Sequence, residues 1–149
     1  MTHDIRLIIL IPLLFVFTSC ATVPTTGTSW KTSPVINAPY EKGWSTMVSV
    51  ISDFSELETL EPQSGYLKSN WKTTDTCWAG IAYGGSIPCK KERIIAKIES
   101  RNPFVVKINV EVETKDMTAT WFYLDKWVSN GSNVQMENRL MDAFLSRFK

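Results

Sequence analysis

The 149-residue chain predicts an α+β fold, an antiparallel sheet of four to five strands packed against two helices. Three observations carry that expectation. Trp44, Met47, Val48, Ile51 and Phe54 recur at spacings of three and four, as one apolar face of a helix does. Phe104, Val106, Ile108, Val110 and Val112 alternate with Lys107, Asn109, Glu111 and Glu113, so a long strand has one dry and one wet face. The links between strand-like runs are too short for parallel crossovers, so neighbours run antiparallel.

The first helix opens at Pro39-Tyr40 and ends near Ser55. Its stripe carries no paired polar residues, so core packing accounts for it. Leu57 to Leu60 and Tyr66 to Trp71 are short extended runs around Pro62-Gln63-Ser64-Gly65, a turn composition, and read as a hairpin. Alternation puts Leu67, Ser69 and Trp71 on one face of its second strand. Residues 73–91 break the pattern with three glycines, a proline and two cysteines, which fits a long pinned loop or an irregular hairpin. Arg93 to Ser100 alternates again, with Ile94, Ala96 and Ile98 on one side, and Arg101-Asn102-Pro103 links it tightly to the long strand. Thr118 to Leu124 follows the turn at Lys115-Asp116 as a further strand. Ser129 to Asn133 is a loop ending in good N-cap residues. The closing helix gathers Val134, Leu140, Met141, Phe144, Leu145 and Phe148 on one side, and both helices then cover the dry face of the sheet.

The beginning of the chain has a different character. Leu7 to Phe17 is an apolar run behind a short polar head, too short to span a bilayer, which takes roughly 20 apolar residues. Its length and flanks fit a secretory signal. Phe17-Thr18-Ser19-Cys20 resembles a bacterial lipobox, with Phe17 where leucine is commonest. That resemblance implies removal of residues 1–19 and acylation of Cys20, and Ala21 in the next position implies sorting to the outer membrane of a Gram-negative cell. An ordinary cleaved signal with an incidental cysteine is the alternative. Residues 20–39 follow as an acylated Cys20 and a Thr/Ser/Pro-rich tether, spanning on the order of 25 Å as a coil. Residues 40–149 form a single domain.

Composition narrows the chemistry. The 16 basic and 15 acidic residues lose Arg6 and Asp4 with the signal, leaving 15 against 14, a balance that argues against nucleic acid as a partner. The one histidine, His3, leaves with the same segment, so the mature chain has no Ser-His-Asp or Cys-His machinery and no histidine for zinc. No cofactor and no metal are expected. Cys77 and Cys89 are read as a disulfide, the default for two cysteines in an exported protein; a metal site would lack further soft ligands nearby. Between them lie Trp78, Ile81 and Tyr83, candidate partner-binding residues if the loop displays them, or a lid on the core if they fold back.

A helix from Tyr40, the strands "SGYLKSNWK", "ERIIAKIES" and "PFVVKINVEVETK", and a terminal helix together resemble the BamC-type lipoprotein domain over most of residues 40–149. The resemblance implies a helix-grip α+β fold and a place in the accessory machinery that inserts outer-membrane β-barrels. This chain holds one such domain, whereas the family's namesake has two, and the Cys-bounded loop is its own.

Three functions compete. The first is a lipid-anchored periplasmic adapter without catalysis, held to the membrane by acyl chains on Cys20 and docking an envelope protein. The second is a small-ligand binder for a lipid or peptide, with Trp71, Trp78, Trp121 and Trp127 around a crevice. The third is a carboxylate enzyme using Glu111 and Glu113, roughly 7 Å apart along one strand face, although charges alternating on a strand are ordinarily a solvated surface.

Overall fold

Two long strands form the spine of the computed structural model, which describes residues 29–78, 85–116 and 126–149. In chain order the elements are β1 (Lys31–Thr32), α1 (Tyr40–Phe54), β2 (Leu57–Glu61), β3 (Tyr66–Ser69), β4 (Lys72–Trp78), β5 (Ser86–Arg101), β6 (Phe104–Lys115), β7 (Trp127–Ser132) and α2 (Val134–Ser146). The sheet runs β1-β6-β5-β3-β2, with β4 also on β5 and β7 also on β6, and every pairing is antiparallel. The class is α+β, and the strands among the described residues number seven rather than four to five.

The extra strands come from segments whose composition hides them. β4 is polar or exposed along nearly its whole length, so it lacks the one-sided alternation that marks a half-buried strand. β7 occupies residues read as a loop; Gly131, at φ +76°, and its Ser/Asn neighbours have turn chemistry, yet they pair with Glu111 to Lys115 through an irregular register. β1 lies inside the expected tether. Lys31 and Thr32 pair with Ile108 and Lys107, Ser33 N donates to the Val106 carbonyl at 2.9 Å, and Ile36 bridges Phe104. The domain therefore begins at about Lys31, with Ser33 and Ile36 buried, and not at position 40. The strand expected over Thr118 to Leu124 lies outside the described residues.

One face assignment also changes. Leu67 and Ser69 are buried on the helix side, but β3 ends at Ser69 and β4 starts at Lys72. At the break, Asn70 N turns aside to the Glu56 carbonyl at 2.8 Å, and Trp71 leaves the Leu67–Ser69 face for Lys91 and Arg93.

The core follows from register. Ile94, Ala96 and Ile98 of β5 stand opposite Val110, Ile108 and Val106 of β6, with Leu67 of β3 beside Ala96. Met47, Val50 and Ile51 of α1 and Leu140, Met141 and Phe144 of α2 close over these residues, so both helices cover one face. Asn133 caps α2 as its composition suggested, its side-chain oxygen accepting from Met136 N at 3.0 Å.

α1 approaches the sheet most closely at Gly43. A methyl group there would lie 2.5 Å from the Phe104 ring. Alanine ordinarily favours a helix interior over glycine by about 1 kcal/mol. Gly43→Ala is nonetheless expected to destabilise, by about 1–3 kcal/mol, because both α1 and a fully buried ring must shift. A thermal melt that rose instead would show that the helix has room to move.

The outer edge of β6 is completed by three separate segments. β1 covers Lys107 and Ile108, and β7 covers Glu111 to Lys115. Between them α2 closes the gap: Asn133 N donates to the Val110 carbonyl at 2.9 Å, and Glu137 Oε1 accepts from Val110 N at 3.1 Å and Asn109 Nδ2 at 3.2 Å. Asn109 Nδ2 also donates to the Ser29 carbonyl. Burial raises the Glu137 carboxyl above its ordinary range, against the pull of Val110 N–H, Ser132, the Lys31 charge and Asn109.

Candidate functional site

β5 is longer than its partner β6, and the excess builds an arm. β6 reaches as far as the Lys90–Thr114 pair; beyond it, Ser86, Ile87 and Pro88 pair with Trp78, Cys77 and Thr76 of β4. Two strands alone are marginally stable in water. Here Cys77 and Cys89 lie at bonding distance across the arm, with Cα atoms 5.6 Å apart. Cys89 is buried, so the cross-link sits at the root of the arm. Pro88, which offers no N–H, is tolerated because β5 has β4 on one side only at this point.

Trp78 stands at the described end of β4 with 69 % of its surface exposed. Gly85 has φ +93°, and a Cβ there would lie 3.0 Å from the indole, so the ring's position over the backbone depends on glycine. An exposed tryptophan on a cross-linked arm has little conformational freedom left to lose on binding. Of the other residues singled out by sequence, Ile81, Tyr83, Trp121 and Cys20 lie outside the described residues.

The helix-free face of the sheet carries a second arrangement. Lys91 Nζ lies 4.5 Å from the Trp71 ring centre and 4.3 Å from that of Trp127, and bonds Glu113 at 2.9 Å. Arg93 lies over Trp71 at 4.5 Å while its Nε donates to Glu111 at 2.6 Å. Each cation–aromatic contact contributes about 0.5–1 kcal/mol when exposed and more when desolvated. Glu111 and Glu113, the two carboxylates weighed for catalysis, are each engaged by a cation of the neighbouring strand. The pairing follows from register, since Arg93 faces Glu111 and Lys91 faces Glu113.

Sequence parity put Arg93, Glu111 and Glu113 on the polar faces of their strands, but left Lys91 in the irregular segment 73–91 and did not bring in the two indoles. Trp71 joins them through the break between β3 and β4, and Trp127 through a strand with loop composition. The three described tryptophans of those proposed around one crevice are thus not gathered. Trp71 and Trp127 flank Lys91, while Trp78 is at the arm.

An open depression of about 380 Å³ lies beside the end of α1, lined by Ser52 to Glu56 and Asn70 to Lys72, and the space beneath it is smaller. A cavity of about 80 Å³ near the end of α1 is lined by Phe54, Ser69, Ile94, Val110, Met136 and their neighbours. Pockets for small ligands typically measure about 300–1,000 Å³. No helix among the described residues is long and apolar enough to cross a membrane. Comparison with protein-family models, with curated proteins and with solved structures gives no match to this chain.

Proposed function

We propose that the chain is a lipid-anchored, non-catalytic adapter of the bacterial envelope, tethered to the outer membrane through Cys20 with its domain in the periplasm. The observation that carries the docking role is Trp78, exposed on an arm that the Cys77–Cys89 pair holds in shape. The anchoring role is supported by the apolar run Leu7 to Phe17 ending at Thr18-Ser19-Cys20. Two helices across one face of an antiparallel sheet agree with a helix-grip arrangement, and the likeness to BamC-type domains nominates a component of β-barrel assembly as the partner.

A ligand-binding role has less support, since the helix–sheet interface leaves about 80 Å³ and the open depression of about 380 Å³ beside it includes Trp71 but neither Trp78 nor Trp127. Carboxylate catalysis has less still, with Glu111 and Glu113 both bonded to cations.

The test is a photo-cross-linking residue at position 78 in the acylated protein, followed by recovery from detergent-solubilised envelopes. One envelope protein is expected to be trapped. In parallel capture with the untagged arm, Trp78→Ala should reduce recovery of that protein at least tenfold with no change in melting temperature, since the side chain is largely exposed. Recovery of no protein above background, or equal recovery by Trp78→Ala, would reject the docking role. Cys20→Ser that still fractionates with membranes would reject the anchor.

A further inference from the structure

We infer that the helix-free face around Trp30, Lys97 and Lys107 lies against the bilayer and holds the phosphate headgroups of anionic lipids. This rests on the anchoring of Cys20 and goes beyond it by assigning the surface that the anchor brings to the membrane.

The first observation is electrostatic. Lys97 and Lys107 are directly opposite each other in the β5–β6 ladder, and both point away from the core, which takes Ala96, Ile98, Val106 and Ile108. Like charges opposite one another across a strand pair are destabilising. Glu99 compensates only one of them, bonding Lys107 Nζ at 2.5 Å. Lys97 is exposed and has no ion pair among the described residues. An anion placed between the two ammonium groups would turn the unfavourable pair into a binding site.

The second observation is the groove beside them. Trp30, Lys97, Glu99 and Lys107 line an open depression of about 370 Å³. Trp30 is 39 % exposed and sits two residues from Thr32, which pairs with Lys107. An amphipathic indole next to lysines is the composition that settles at the headgroup level of a membrane. Trp71 and Trp127, with Lys91 and Arg93 against them, continue the same face.

The third observation is chain length. Trp30 is ten residues beyond Cys20, which can reach at most about 35 Å when extended. The groove is where the chain joins the sheet, so it is among the parts of the domain held nearest to acyl chains on Cys20. Proximity to the bilayer and positive charge therefore coincide, and anionic lipid is the occupant that satisfies both.

The test uses the mature chain carrying Cys20→Ser, which has no acyl group and so reports the face alone. Sedimentation is measured with vesicles of phosphatidylcholine and with vesicles about one-third phosphatidylglycerol. Binding is expected on the anionic vesicles only, weakening as salt rises. Lys97→Ala with Lys107→Ala should lower that binding about 10- to 30-fold, at about 1 kcal/mol per lysine near the surface. Its melting temperature should not fall, since the pair repels. Equal binding to both vesicle types, or a double variant that binds anionic vesicles like the parent, overturns the proposal. A parent that sediments as a dimer without lipid, dissociated by the double variant, assigns the face to a second copy and also overturns it. The intact mass of the envelope-derived protein tests acylation separately, so either reading can fail without the other.

Discussion

Phe104→Ala is expected to lower the free energy of unfolding by about 3–5 kcal/mol, the range for removing a buried phenyl ring. Phe104 has no exposed surface and joins both helices to the sheet. Its ring centre is 6.3 Å from those of Tyr40 and Phe144, so it touches the start of α1 and the end of α2. It also fills the space beneath Gly43, and its backbone bridges Ile36. Truncation leaves a void bordered by two helices and a sheet, none of which can collapse into it without losing other contacts. Most domains are stable by only about 5–15 kcal/mol, so the variant should sit near the edge of folding. Urea unfolding followed by tryptophan fluorescence measures it. A loss below about 1 kcal/mol would mean that the helices close the gap and that Phe104 is not the keystone of this packing.

The second large effect is at Glu137, and its sign depends on pH. Glu137→Ala leaves Val110 N–H buried without its acceptor and the Asn109 amide with the Ser29 carbonyl alone, at a cost of about 2–4 kcal/mol. Glu137→Gln keeps an acceptor oxygen and loses the charge. Burial places the folded-state value of this carboxyl above the unfolded 4.5. Between those two values the folded state binds more protons, so stability from this group is complete below 4.5 and is lost as pH rises through the folded value. Glu137→Gln should therefore match the parent at acid pH and exceed it at neutral pH. Urea unfolding of the three proteins from about pH 4 to pH 8 checks this. A glutamine variant whose lead did not grow with pH would show that the charge is stabilised by Lys31 and the amides as fully as it is by water.

Legibility in the sequence depended on whether a segment had one dry face. α1, β5, β6 and α2 each did, and periodicities of 3.6 and 2 located them together with most of the core. The Cys77–Cys89 pair followed from compartment and composition alone, and the structure places the two within disulfide distance. β1, β4 and β7 escaped for physical reasons. β1 is two residues long and owes its shape to the edge of β6. β4 is solvated on both faces along the arm, and β7 is an irregular edge strand rich in turn residues. The site divides the same way. Trp78 stood out because an aromatic residue between two cysteines is conspicuous, and its side chain is largely exposed. The Trp71–Lys91–Trp127 stack did not, because its members come from β5, β7 and the break between β3 and β4, which only the sheet brings together.

The completed border of β6 has a consequence for how this domain coexists with other chains. A twelve-residue strand rich in Val and Ile, with open N–H and C=O groups, would template any stray strand nearby, the first step toward aggregation. Three unrelated segments occupy that border instead. Among the described residues, the rims at β2 and β4 are five and seven residues long, broken by irregular register and studded with Glu58, Glu61, Lys72 and Asp75. A passing strand from another chain finds no long, regular, uncharged border here to join.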